Sequence, residues 1–114
     1  AAVHHHEDEE QDLFPALRAA GTGADAGQVA DLTASLCADH RALEAAWQAL
    51  RAALEPICQG APGTLEAGSV DAFAQRYALH IAREDTELLP LAGRLLDAAT
   101  LDRVGRAMRA RRGV

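Results

Sequence analysis

Apolar residues recur along the chain at intervals of three and four, and the pattern predicts four helices, near residues 2–19, 28–58, 68–97 and 101–111. The second is the clearest. Val29, Leu32, Leu36, His40, Leu43, Trp47, Leu50, Leu54 and Ile57 form one unbroken seam, as in a helix packed lengthwise in a bundle. Asp25 with Gln28 is a candidate capping box at its start, and Gly60 and Pro62 mark its end. The third helix has the seam Val70, Phe73, Tyr77, His80, Glu84, Leu88, Leu91, Leu95. The first shows His5, Glu9, Leu13 and Leu17 at steps of four, with Phe14 beside them. The short last helix turns Leu101, Val104 and Met108 inward and takes Thr100 as its N-cap. Glycine-rich breaks fall at GTGADAG (21–27) and QGAPGTLEAGS (59–69), and a softer one at DAAT (97–100).

The 114 residues suffice for one domain, 1–114, with a single core. Alanine is abundant, alanine, leucine, arginine and glutamate favour helix, and β-branched residues are scarce, so the fold class is all-α: an up-down helical bundle of three main helices and a short fourth. A net charge of −6 argues against nucleic acid as a partner. The basic tail RAMRARRG suits the negative end of a helix dipole. Cys37 and Cys58 lie on one predicted helix, roughly 31 Å apart, too far to pair with each other. Two free thiols fit a reducing, cytoplasmic setting. Residues 1–20 lack the apolar stretch of a signal peptide, and no run approaches the ~20 apolar residues of a membrane span.

Two of the seams carry polar residues where a core should be apolar. A lone histidine such as His40 is ordinarily a satisfied core residue. His80 and Glu84, one turn apart on the same face, are harder to account for, because a buried carboxylate must be paired or coordinate a metal. A His–Glu pair could satisfy itself. However, HHEDEEQDLFP (5–15) aligns without gaps on HIAREDTELLP (80–90), sharing H-x-x-x-E-[ED]-x-x-L-[FL]-P. The opening HHHEDEE therefore is not a purification tag followed by an acidic leader, because such a leader would not repeat inside the chain. Pro15 and Pro90 close the two copies, either ending their helices or imposing a shared bend.

Three imidazoles and two carboxylates facing one bundle core make a metal site by ligand count: His5, Glu9, His40, His80 and Glu84. Mixed nitrogen and oxygen ligation suits iron or manganese, with zinc as a further candidate. The order His then Glu at i+4 differs from the Glu then His at i+3 of ferritin-like di-iron bundles.

HHEDEEQDLFP and HIAREDTELLP resemble the signature of the hemerythrin-like, or HHE cation-binding, domains. The resemblance implies an up-down four-helix bundle around an oxo- or hydroxo-bridged non-haem di-iron centre. It also implies a ligand pattern of one histidine, H-x-x-x-E, one histidine, and H-x-x-x-E on successive helices. Carried over by position, the matches are His5 and Glu9, then His40, then His80 and Glu84, with Glu9 and Glu84 as bridging carboxylates. DHRALE around His40 and the closing LDRVGRAMRARRG also look like the family. The family's first histidine has no counterpart here. His40 precedes His80 by forty residues, so its match is expected about as far before His5, beyond residue 1. This leaves the sixth protein ligand unassigned and one seam uncovered, and an exposed apolar stripe of that size favours a homodimer.

Glu44, at i+4 from His40, is a further candidate ligand or an exposed glutamate. At most one of His4 and His6 should join His5 in facing inward. Tyr77 is expected beside the site or in the core, and Trp47 in the core. The resemblance implies binding of O2 or a related diatomic or peroxide, oxygen or redox sensing, or iron handling, and no separate acid, base or nucleophile marks a metabolic enzyme. Two alternatives stay open: a metal-regulated interaction module, and a structural bundle with a metal-free His–Glu layer.

Overall fold

A computed structural model describes residues 2–60 and 67–112, with side chains over 5–60 and 68–111. Among the described residues all regular structure is helical. Helix α1 (Ala2–Asp8) runs through one π turn (Glu9–Leu13) into α2 (Phe14–Ala20). A 3-10 turn (Gly23–Asp25) leads into α3 (Ala26–Cys58), whose 33 residues extend about 50 Å. Helix α4 (Ala67–Arg83) runs through a second π turn (Glu84–Leu88) into α5 (Leu89–Leu95), and α6 (Ala98–Arg112) completes the bundle. The chain is an all-α helical bundle, as the seams predict.

Neither Pro15 nor Pro90 ends its helix. Each sits in the first turn of the α-helix that follows a π turn. Proline has no N–H for the carbonyl four residues back, and its ring crowds that carbonyl. The backbone widens just before it instead. The Phe14 N–H is donated to the Glu9 carbonyl and the Leu89 N–H to the Glu84 carbonyl, both five residues back. Single π turns of this kind are frequent at functional sites. Here both motif glutamates begin one.

The filled core lies at one end of the bundle. Leu13, Phe14 and Leu17 meet Val29, Leu32 and Leu36 of α3, Leu88, Leu91 and Ala92 of the second motif arm, and Val104 of α6. Fully burying side chains such as Phe14, Leu17 and Leu36 contributes roughly 1.5–3 kcal/mol each. Among the described residues the other end is open. There α3 and α4 run antiparallel, Asp39 meeting Arg83 and Trp47 meeting Phe73. With little else packed on that end, Trp47 and Val70 are 43% and 41% exposed, against the expectation that both face a core. Leu101 is likewise exposed, because α6 docks through Val104 and Met108. The described residues extend 56 × 31 × 16 Å. No described helix is long and apolar enough to cross a membrane.

Two predicted caps change partners. Asp25 holds the N-cap position of α3 but makes no capping bond; its carboxylate pairs with Arg94 at 3.0 Å, tying the start of α3 to α5. At α6 the cap is Asp97, whose Oδ1 accepts the Thr100 N–H at 2.7 Å; Thr100 is already inside the helix. Gly60 follows α3 at φ 87°, the left-handed conformation expected of a terminating glycine. Pro62 lies outside the described residues.

Gly21 is required by contact rather than by dihedral. A Cβ there would sit 2.6 Å from Val29 Cγ2, on a side chain that is 1% exposed. Gly21→Ala should therefore destabilise by about 1–3 kcal/mol through overpacking, measurable by urea unfolding. Wild-type stability in that variant would mean that Val29 can yield at no cost.

Candidate metal centre

The site forms the top layer of the filled core. Phe14 lies parallel beneath the His40 ring, with centroids 6.0 Å apart. The two motif arms and α3 then bring imidazoles and carboxylates together above it. His5 Nε2 is 2.5 Å from Glu9 Oε1 and 3.3 Å from Glu84 Oε1. His40 Nε2 is 3.1 Å from Glu9 Oε2, and His80 Nε2 is 3.0 Å from Glu84 Oε1. The two oxygens of Glu9 thus face different imidazoles.

Glu9, His40, His80 and Glu84 are all buried, and one ligand atom from each lies within 4.8 Å of the others. His5 belongs to the same cluster through both glutamates, although its side chain is 41% exposed. All five residues singled out in the sequence therefore meet at one place.

The ring nitrogens are divided by role. His40 Nδ1 bonds Glu10 Oε2 at 2.7 Å, and Arg41 donates to the same oxygen at 2.6 Å. His80 Nδ1 approaches Asp39 Oδ2 at 3.5 Å, which Arg83 holds at 3.2 Å. Each Nδ1 is turned outward to an arginine-anchored carboxylate, and each Nε2 is turned inward. A histidine that gives one nitrogen to a carboxylate has its tautomer fixed and its other nitrogen primed for a metal. These outer carboxylates were not singled out in the sequence. Their signal is adjacency: Glu10 follows Glu9, and Asp39 precedes His40.

The inward atoms are poorly satisfied by protein. His40 Nε2, His80 Nε2, Glu9 Oε2 and Glu84 Oε2 are buried with no aligned hydrogen-bond partner, and both nitrogens of His6 share that state. An unpaired buried polar atom costs roughly 1–3 kcal/mol, more when charged. Several of them around one point, of nitrogen and carboxylate type, fit a metal centre better than a self-satisfied His–Glu layer.

The remaining candidates separate clearly. His6 is 3% exposed and stacks flat on His40 at 3.9 Å, with His80 edge-on at 5.9 Å. The side chain of His4 lies outside the described residues. Glu44, its side chain 41% exposed, approaches Arg41 at 3.4 Å and His6 Nδ1 at 3.5 Å. Tyr77 packs toward Phe73 at 6.2 Å. Trp47 stands in the open half. Beyond the ligand cluster, Arg111 of α6 pairs with buried Asp8 at 2.8 Å and Asp12 at 2.5 Å, tying the last helix to the π turn that begins at Glu9. The basic tail thus makes specific pairs as well as suiting the helix dipole. A cavity of about 300 Å³ opens beside His5, its surface mostly apolar from Leu13, Ile81, Leu88 and Met108, with Asp8, Glu9, Glu84 and Asp85 also lining it.

The electrostatics reflect crowding. Glu84, and then Glu9, carry the His5 pKa to about 10. Burial, with Glu9 nearby, pushes Glu84 up to about 7. Burial also works against the Glu9 carboxylate, but His40 and His5 hold it well below the usual range. Burial opposes charge on His40 as well, yet Glu9 and Glu10 raise its pKa. Burial lowers His6 and His80.

Metal-free protein should consequently lose stability as pH rises. The contribution of Glu84 is present below 4.5 and gone above about 7. That of His5 is present below 6.5 and gone above about 10. Glu9 acts in the opposite sense, its contribution being lost only as pH falls below the ordinary carboxylate range. His6 and His80, lowered by burial, act the other way only below about 6.5, so thermal unfolding of chelator-treated protein should shift downward between about pH 6.5 and 10, whereas stabilisation by added zinc should grow over the same range as ligands shed protons. A flat or rising metal-free curve contradicts this account.

Comparison with known proteins agrees with the geometry. The chain is 33% identical over its 114 residues to an uncharacterized protein of Haemophilus influenzae, covering all of this chain and 63% of that relative. The chain thus spans somewhat under two thirds of the relative's length. No solved structure matches it. The model of the hemerythrin HHE cation binding domain matches residues 1–92, a stretch holding both motif arms and the whole of α3. With its doubled His–Glu motif folded around one buried cluster, the chain belongs to the hemerythrin HHE cation-binding family.

Proposed function

We propose that the protein holds two iron ions and uses them to bind or sense O2 or a related small oxidant. The observation that carries this reading is the Glu9 carboxylate, whose two oxygens face His5 on one side and His40 on the other. His5, Glu9, His40, His80 and Glu84 would hold the pair, with Glu9 and Glu84 shared between the ions. When bound, such a pair supplies reversible electron transfer to a small oxidant. The chain's own contribution is positional. Glu10 and Asp39 keep His40 and His80 oriented, and Phe14 keeps water from the floor. The apolar cavity beside His5 offers a way in for a small uncharged molecule.

The test is metal analysis of protein purified without chelators, followed by ferrous reconstitution without oxygen. Two irons per chain, with new visible absorption on exposure to air and a shift on adding azide, are the expected results. Stoichiometric zinc with no oxygen-dependent absorption would sink the iron reading. That outcome would favour the alternative of a metal-regulated interaction module, for which the exposed Trp47, Val70 and Leu79 would supply the face.

A further inference from the structure

His6 lies outside the inherited motif, and the structure gives it a role to explain. It is 3% exposed, and neither ring nitrogen has a hydrogen-bond partner. Its nearest polar neighbour is Glu44, whose Oε1 lies 3.5 Å from Nδ1. Polar groups buried in this state are rare in folded proteins and ask for a missing partner. Furthermore, ligand atoms of His6, His40 and His80 lie within 4.8 Å of one another, a second buried group that could hold an ion, sharing two members with the first.

The repeat sharpens the point. His6 occupies the place that Ile81 holds in the second arm. Ile81 lines the apolar cavity beside His5, while His6 stands against His80. In each arm, then, the second residue faces the other arm's histidine. One arm supplies an imidazole there and the other a hydrocarbon. An apolar residue would pack in either place. The imidazole brings two buried nitrogens that a hydrocarbon there would not.

We propose that His6 is itself a metal ligand, joining His40 and His80 on one ion and making the centre asymmetric: histidine-rich on that side, and open to an apolar cavity on the His5 side. This rests on the metal-centre reading above. The flat stack on His40 sets one condition: His6 must turn out of the stack to share an ion with that ring. No hydrogen bond on either nitrogen opposes that turn, which must be made against the stack and the surrounding packing.

The test is His6→Leu, which keeps apolar volume and removes both nitrogens, titrated with Zn²⁺ and Co²⁺ against a chromophoric chelator. Zinc affinity should fall roughly ten-fold to a hundred-fold or more, and the visible cobalt spectrum should change in energy and intensity. The metal-free variant should be at least as stable as the wild type, since an unpaired buried imidazole is gone. His6→Gln, which retains a weaker donor, covers the case in which leucine fails to fold; it too should bind more weakly. Unchanged affinity and an unchanged cobalt spectrum in a folded variant would overturn the role of His6 while leaving the centre intact. No uptake of either ion by the wild-type chain overturns both.

Discussion

Replacing Glu84 with alanine should abolish the proposed two-ion loading, leaving one ion per chain or none, read by elemental analysis after reconstitution. Glu84 touches both flanking imidazoles through one oxygen, at 3.3 Å to His5 and 3.0 Å to His80, and buries the other oxygen unpartnered. Without it, neither neighbouring residue can reach across. The fold should survive. Burial pushes the Glu84 carboxyl up to about 7, so its own ionisation opposes folding above that pH, while its contact with protonated His5 favours folding; the two effects offset, and the metal-free variant should change little in stability near pH 8. Loss of loading with little change in metal-free stability is the signature of a group kept for chemistry rather than for packing. Glu87→Ala is the control: that carboxylate pairs with Arg83 on the exposed side, and loading should not change. Two-ion loading in the Glu84 variant would refute its assignment.

The second large effect is on stability. Phe14 is fully buried, packs in the core and underlies His40. Phe14→Ala should cost about 3–5 kcal/mol in metal-free protein. Against a total of about 5–15 kcal/mol for a domain, that brings the chain close to unfolding at room temperature. Saturating zinc should restore part of the loss, because an ion bound only by the folded state adds its binding energy to folding. A loss below about 1 kcal/mol in urea unfolding would show that the floor of the site can collapse around the gap.

The bundle and the five polar residues were legible because both rest on periodicity. His40, His80 and Glu84 interrupt seams that are otherwise apolar, and the repeat picks out His5 and Glu9. The π turns also left a trace. An α-helix overshoots by about 40° at every step of four residues, so a seam alternates threes with fours. His5, Glu9, Leu13, Leu17 uses fours only, which keeps one face only where the turn is wider. Trp47 shows the converse limit: periodicity marks the face of a helix but not whether anything covers it. His6 was ambiguous for a related reason. Neighbours on a helix diverge by about 100°, so His5 and His6 cannot both follow one seam, and only their tertiary surroundings show that both meet the cluster.

The paired π turns have a consequence for how such a protein can change. Each carries one residue more than a regular turn needs, inserted between the metal-facing and core-facing parts of its arm. The rotational phase of His5 is therefore decoupled from that of Leu17, and the phase of His80 from that of Leu91. Donor residues can be gained, lost or re-aimed above the turn while the packing below keeps its register. The bundle behaves as two modules joined at two swivels, with a variable ligand set mounted on a fixed base.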